Sequence, residues 1–310
     1  MTDNSPRKVL ITGGTGLIGS RLAELLIDSG YEVALLSREP AKSNHYRSFR
    51  WDPQAETIDE AAVTYADYIV SLAGASVSDG KWTDERKRDI MTSRLNGLAL
   101  LYRELAKGNH HVKAFISASA VGIYGDAGSQ LVDEDTPPAV PTHDFLADVS
   151  NQWELAAAPI AALGIRTVVP RIGIVLSTEG GALPQMARPM KLGAGAALGS
   201  GKQYMSWIHL DDLCRLFMAM LEDDSWQGTY NAVAPNPVTN QQFTETLAQV
   251  LHRRLLLPKV PAFGLKLAMG EMSDIVLASQ NVSARKVLAQ GFRFEYPELR
   301  GALEALYAGE

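Results

Sequence analysis

Three features of this 310-residue chain predict an α/β fold built on a doubly wound parallel sheet. Short apolar runs alternate with longer stretches whose apolar residues recur at helical spacing, the pattern of strand–helix–strand units with helices on both faces of a sheet. A glycine cluster, Gly13-Gly14-Thr15-Gly16-Leu17-Ile18-Gly19, separates the first strand from the first helix. From Gly173 the alternation gives way to glycine-rich loops, which predicts a smaller, mixed α/β C-terminal lobe closing over the sheet.

The apolar run Val9 to Thr12 is too short for a helix, whereas Ile18, Leu22, Leu25 and Leu26 recur at helical spacing. Between them, Gly14, Gly16 and Gly19 satisfy G-x-G-x-x-G, and Gly13, Gly16 and Gly19 satisfy G-x-x-G-x-x-G. Glycine permits the tight turn, lets backbone amides approach a pyrophosphate, and lets the helix pack on the strand. The first helical N–H groups then face the phosphates without internal partners. Strand before and helix after is the context that makes the motif a Rossmann-like dinucleotide site.

Glu32 to Leu36 is the second strand, and the residues beyond it bear on cofactor choice. An NAD site usually places an acid there for the ribose 2′-hydroxyl. This chain has Ser37 and Arg38, which can donate to a 2′-phosphate, so NADP(H) is favoured over NAD(H). The alternative is a solvated Arg38 with Glu39 serving the ribose. Phe49 to Asp52 reads as a third strand, and Tyr68 to Leu72, ending in Ala73-Gly74, as a fourth. Small residues at that strand end leave room for a cofactor, since ligands lie beyond the carboxyl ends of parallel strands.

A helix over Thr83 to Lys107 presents Ile90, Leu95, Leu98 and Leu101 on one face. Ala114 to Ser119 is the fifth strand, Asp144 to Leu163 a helix, and Thr167 to Arg171 the sixth strand. Trp207-Ile-His209-Leu-Asp211-Asp212-Leu213 opens another helix, with Asp211 or Asp212 as N-cap. A strand at Thr229 to Ala232 precedes helices near 240–251, 262–279, 283–290 and 297–307. The expected division is a nucleotide-binding domain over 1–172 and mainly a substrate-binding lobe over 173–310, with about 205–235 returning to the sheet.

Composition narrows the function classes. A formal net charge of −6 and no basic stripe argue against nucleic acid as a partner. No run approaches the ~20 apolar residues of a membrane span, and the N-terminus lacks the apolar stretch of a signal peptide. The single cysteine, Cys214, excludes an internal disulfide, and the scattered histidines lack metal-ligand spacing. These readings make the cytoplasm the default location.

Set beside the glycine motif, Ser117-Ala-Ser119-Ala-Val-Gly-Ile-Tyr124-Gly125 and Trp207 to Leu213 resemble an extended short-chain dehydrogenase/reductase of the NAD(P)-dependent epimerase/dehydratase superfamily. Ser93-Arg94, Phe145 to Ala147 with Trp153-Glu154, Arg171 to Leu176, Gly180 to Leu183, Leu198 to Gly201 and the tail from Gly270-Glu-Met272 to Gly291-Phe292 are similar to its atypical "epimerase family protein" subgroup of YfcH type. The resemblance implies an oxidoreductase or epimerase acting on a small carbonyl or nucleotide-sugar-like substrate. It also makes a homodimer through the helices flanking the sheet a candidate, although intramolecular burial explains the same apolar faces.

One departure from the superfamily is prominent. Its working members carry Tyr-x-x-x-Lys on the helix after the fifth strand, where the lysine lowers the tyrosine pKa for proton transfer. Aligned on Glu154, those positions are Leu146 and Ser150, and no tyrosine in the chain has a lysine four residues on. The alternative is therefore a catalytically silent redox sensor or scaffold that still binds NADP(H).

Candidate cofactor-binding residues are Gly13, Thr15, Gly16, Leu17, Ile18 and Gly19 at the turn, with Ser37 and Arg38 after the second strand. Leu72, Ala73 and Gly74, then Arg94, Ser117, Pro170 and Arg171, complete that set. By resemblance Ser119 orients the substrate, and Tyr124 is the candidate substitute acid, the bland alternative being a loop-shaping tyrosine. Asp144 is read as an N-cap rather than a base. Trp82, Met186, Lys191, Trp207 and His209 are the candidate substrate pocket, against which stand core packing for the tryptophans, a solvated lysine and a helix-capping histidine.

Overall fold

The computed structural model describes residues 6–39, 46–140 and 144–308. The extreme N-terminus, read above as leading into the first strand, lies outside the described residues over 1–5. In chain order come β1 (Lys8–Thr12), α1 (Leu17–Asp28), β2 (Glu32–Ser37), β3 (Arg47–Asp52), β4 (Thr57–Ile58), α2 (Ala61–Tyr65), β5 (Tyr68–Ser71), α3 (Asp84–Ala106) and β6 (Ala114–Ser117). Then follow β7 (Ser119–Ala120), a 3-10 turn at Val121–Tyr124, β8 (Leu131–Val132), α4 (Phe145–Ala161), β9 (Arg166–Ile172), β10 (Ile174–Leu176), α5 (Ala182–Lys191), β11 (Tyr204–Met205) and β12 (Trp207–His209). The chain continues with α6 (Leu210–Glu222), β13 (Gly228–Ala232), β14 (Val238–Thr239), α7 (Asn240–Val250), α8 (Ala262–Met269), α9 (Asp274–Leu277), β15 (Asn281–Val282), α10 (Arg285–Ala289) and α11 (Leu299–Tyr307).

The main sheet runs β13-β9-β6-β5-β1-β2-β3-β4, with β7 also pairing β9. Every pair in it is parallel except β3 with β4. Strand order reverses between β1 and β5, and a Rossmann-like sheet opens its binding crevice beyond the carboxyl ends of the strands at such a point. Val9, Leu10 and Ile11 are fully buried because helices cover both faces. Leu22, Leu26, Leu213 and Phe217 from α1 and α6 pack on one side, and Leu98, Leu101, Trp153 and Ile160 from α3 and α4 on the other. Arg21 ties α1 to α6 through Asp211 at 2.7 Å.

Several boundaries differ from those the sequence predicts, each for a reason in the backbone. β3 begins at Arg47, because Ala34 to Ser37 supply a pairing edge for Arg47 to Arg50. The fifth strand is interrupted at Ala118, and Ser119-Ala120 pair instead with Arg171-Ile172. The predicted helix over 262–279 breaks at Gly270, whose φ of 62° lies outside the right-handed helical region. The cap of α6 is His209, whose Nδ1 accepts the N–H of Asp211 at 3.1 Å, and neither aspartate caps the helix. Asp212 is instead buried, accepting the N–H groups of Glu295 and Tyr296 at 2.9 Å each and pairing with Arg215. Asp144 does cap α4, accepting from Leu146 and Ala147 at 3.0 Å each.

The second core joins Leu176, Leu183, Trp207, Phe243, Leu247 and Leu303, drawn from β10, α5, β12, α7 and α11. α6 and β13 pack with the main sheet although they come late in the chain.

Candidate active site

At the first strand-to-helix corner, Gly16 N–H donates to Gly13 O at 3.0 Å, closing the turn. Gly13 has a φ of +70°, and a Cβ there would stand 2.9 Å from the Ala73 amide nitrogen. A Cβ on Gly19 would lie 2.3 Å from Gly13 O, so helix and turn touch backbone to backbone. α1 begins with Gly16 as N-cap, with no side-chain cap and no acid in its first turn. Its leading N–H groups and positive dipole end are thus left for an external anion. Across the crevice, Thr12 Oγ1 accepts the N–H groups of Leu72 and Ala73 at 3.0 Å each, holding the β5 end against β1.

These walls enclose a cavity of about 980 Å³. Gly13, Thr15, Gly16, Ser37, Arg38, Leu72, Ala73 and Gly74 all line it, so the structure brings together eight of the predicted cofactor residues. Leu17 and Ile18 instead pack their side chains against the α1-side core. Glu39 lines the cavity too, and its carbonyl accepts the Ser37 hydroxyl at 2.9 Å. The sequence reading missed Arg50, Asp52, Pro53, Gln54, Ala75 and Ser93 in the same wall. Arg50 stands in register with Ser37 across β2 and β3, a neighbourhood that strand pairing reveals and the linear chain does not.

The open helix amides, the glycine contacts and Ser117 test whether a dinucleotide fits. Ser117 Oγ is buried at the β6 end with no hydrogen-bond partner, a cost that a ligand or water would relieve. Arg94 Nη1 donates to Ala75 O at 3.0 Å and Ile90 O at 2.8 Å, and its guanidinium lies 4.8 Å from the Trp153 ring centroid. Burial, reinforced by Arg86, brings its pKa down to about 10. The open helix amides and the glycine contacts suit a diphosphate at this corner, whereas Ser117 and Arg94 do not line the cavity.

Outside the cavity lining, a largely buried polar network occupies the tips of β7, β9 and β13. Ser119 Oγ donates to Glu154 Oε1 at 2.7 Å. Arg171 grips the same carboxylate with Nε at 2.8 Å and Nη2 at 2.9 Å, while its Nη1 donates to the Tyr124 oxygen at 2.8 Å. The Tyr124 hydroxyl in turn donates to Asn231 Oδ1 at 2.8 Å. Glu134 Oε1 accepts the Asn231 N–H at 2.7 Å, tying in the loop after β8. Burial depresses the Arg171 pKa, but the hydrogen bonds and charge interactions with Glu154 and Tyr124 together outweigh it and leave the guanidinium above its ordinary value. Burial raises the Tyr124 phenol.

This geometry corrects the role expected of Tyr124. Its hydroxyl is buried, its proton is committed to Asn231, and its pKa moves away from neutrality, so no free phenol faces the crevice. Ser150 donates to Leu146 O at 2.8 Å, so the positions of the missing tyrosine and lysine form no replacement pair. Pro170 is buried in β9 opposite Tyr230, inside the sheet rather than at its tip.

The five predicted substrate-pocket residues do not converge, and none lines the large cavity. Trp207 is fully buried in the second core, its Nε1 donating to Asn236 O at 3.1 Å. Met186 packs on that core from α5, and Lys191, exposed at the end of α5, lies 5.1 Å from the Tyr307 ring centroid. His209 caps α6 and stacks on Tyr296 at 4.0 Å, with burial lowering its pKa and favouring the neutral ring. Trp82 is half-buried, edge-on to Phe145 at 4.9 Å. Among the described residues no His, Cys, Asp and Glu cluster is arranged to hold a metal, and no helix is long and apolar enough to cross a membrane.

The Glu154–Arg171 pair is expected to matter to stability. Glu154→Leu strands a guanidinium whose side chain is 7% exposed, and loss of one partner of a buried pair costs about 3–5 kcal/mol. Urea unfolding should show that loss, and adding Arg171→Met should recover much of it. A midpoint unchanged in Glu154→Leu would contradict the assignment.

Residues 9–232 match the NAD dependent epimerase/dehydratase family, and residues 260–306 match a domain of unknown function, DUF1731. The chain is 38% identical over 302 residues to "Epimerase family protein YfhF" of Bacillus subtilis, covering 97% of this chain and 98% of the other. It is 34% identical over 304 residues to the mouse "Epimerase family protein SDR39U1", covering 97% and 100%. Among solved structures, human SDR39U1 with NADPH superposes with a TM-score of 0.87 at 32% identity, covering 98% of this chain and 100% of that one. A Corynebacterium glutamicum nucleoside-diphosphate sugar epimerase gives 0.78 at 32% identity, covering 97% of this chain and 58% of that one.

Proposed function

Since this chain belongs to the NAD dependent epimerase/dehydratase family, we propose that it binds NADP(H) and oxidises, reduces or epimerises a small carbonyl or nucleotide-sugar-like substrate in the cytoplasm. The observation that carries this reading is the cavity in which an uncapped helix start and Arg38 are joined by one continuous wall. The glycine-turn amides would hold the diphosphate, and Ser37 with Arg38 the phosphorylated ribose. The solved relative with NADPH and the relative named a nucleoside-diphosphate sugar epimerase support the cofactor and the substrate class.

A bound nicotinamide would supply the hydride acceptor or donor. The residues at the strand tips have other work. Ser119 donates its hydrogen bond to Glu154, so its oxygen is left as an acceptor that can orient a substrate hydroxyl. Arg171 fixes the carboxylate that fixes Ser119, and Tyr124 with Asn231 fixes Arg171, so these are positioning residues. With no free phenol or lysine presented and the Ser119 hydrogen engaged by Glu154, proton exchange at the substrate oxygen falls to water.

A second reading, a catalytically silent NADP(H) sensor or scaffold, is favoured by the occupants of the tyrosine and lysine positions, Leu146 and Ser150. Nicotinamide fluorescence separates the two. Saturable NADPH binding followed by consumption with some member of a carbonyl and nucleotide-sugar panel is the expected result. Tight binding without turnover, together with redox-dependent partner capture, would favour the sensor, and no saturable binding would end both readings.

A further inference from the structure

We infer that Arg50 is a second specificity-determining cation, which with Arg38 forms a two-guanidinium clamp for a ribose 2′-phosphate. The inference rests on the NADP(H) reading above. Arg50 lies directly opposite Ser37 in the parallel β2–β3 pair, and paired residues on adjacent strands point to the same face. Its neighbours Phe49 and Trp51 are buried in the α3-side core, which turns Arg50 to the other face. Arg38 follows Ser37, and all three residues line the same cavity.

Neither guanidinium is neutralised. Arg38 and Arg50 are exposed, and neither makes a salt bridge among the described residues. Nearby arginines behave differently: Arg47 lies 4.7 Å from the Phe49 ring centroid and 5.1 Å from that of Tyr65, and Arg103 pairs with Glu56 at 3.2 Å. The acids in the same wall, Asp52 and Glu39, form no salt bridge with either arginine among the described residues. Asp52 spends Oδ1 on the N–H groups of Gln54 and Ala55 at 3.0 and 3.2 Å, and Glu39 pairs with neither arginine.

Two like charges facing one cavity repel, and a dianion between them converts that repulsion into two charge-assisted contacts. An unphosphorylated ribose offers only hydroxyls, to which two guanidinium groups add little. Discrimination between NADPH and NADH is thereby shared by two residues on two strands rather than vested in Arg38. A lysine at position 50 would keep the charge but lose the forked donor geometry.

The test measures dissociation constants for NADPH and NADH by nicotinamide fluorescence in the full chain, Arg50→Gln and Arg50→Lys, with 2′,5′-ADP and 5′-ADP as competitors. Arg50→Gln is expected to weaken NADPH about tenfold and leave NADH unchanged, with Arg50→Lys in between. The advantage of 2′,5′-ADP over 5′-ADP should shrink in parallel. Unaltered NADH binding reports that the variant is folded and the remaining crevice intact. Unchanged NADPH affinity, or an equal loss for both nucleotides, overturns the clamp while leaving the cofactor reading in place. If the unsubstituted chain binds neither nucleotide, the cofactor reading fails and the clamp with it.

Discussion

Gly19→Val is expected to abolish measurable nucleotide binding. A Cβ at Gly19 would sit 2.3 Å from Gly13 O and 2.7 Å from Gly14 Cα, both backbone atoms of the turn. A flexible side chain could step aside, but these atoms can move only by opening the turn that aims the leading α1 amides. Hydrogen bonds to charged groups contribute about 1.5–3 kcal/mol each, so misaiming two of them weakens binding by roughly a hundredfold or more. Overpacking should also cost the fold about 1–3 kcal/mol. Gly301→Ala is the matched control: it lies in α11, a Cβ there meets nothing within 4 Å, and the change should leave affinity alone while slightly raising stability. Equilibrium titration with NADPH checks both. A Gly19→Val chain with native affinity would mean that the diphosphate is not held at this corner.

Arg38→Glu is expected to reverse nucleotide preference. Position 38 follows β2, where a carboxylate accepts from the ribose 2′-hydroxyl and repels a 2′-phosphate. Loss of one charge-assisted contact and gain of a like-charge contact together should weaken NADPH by roughly a hundredfold, with NADH equal or tighter. The effect should exceed that of Arg50→Gln, because the substituted side chain opposes the phosphate instead of merely withdrawing. The NADPH to NADH ratio of dissociation constants is the measurement, and increasing salt should shrink the change because the site is exposed. An unchanged ratio would remove Arg38 from cofactor selection.

The parts of the cavity wall that the sequence predicts share one property: each is written in contiguous residues. The corner from Val9 to Leu26 combines a strand too short to be a helix, glycines where no Cβ fits, and a helical apolar stripe, and the structure places all three where that reading requires. Arg38 lay within reach because it directly follows a strand edge. Arg50 escaped notice because its relation to Ser37 depends on which strand lies beside β2.

The substrate-side residues show the limit from the other direction. Trp207 and His209 are unusual side chains in a family-like stretch, yet Trp207 fills a core and His209 caps a helix. Aromatic rings and imidazoles serve burial and capping as readily as they serve substrates, and only their neighbours distinguish the uses. Tyr124 likewise stands near Ser119 in sequence, while its chemistry is set by Arg171 and Asn231.

By itself, the sequence determined the alternating α/β architecture, the glycine corner between β1 and α1, and the absence of the Tyr-x-x-x-Lys pair. Hydrophobic periodicity and glycine geometry act over a few residues, and a motif's absence is visible without folding. Tertiary structure alone decided which polar groups face the crevice and which are spent on one another, from Ser119 through Glu154 and Arg171 to Tyr124 and Asn231. The physical reason is that a hydrogen bond fixes the protonation and direction of a side chain over about 3 Å of space, however many residues of chain lie between its partners.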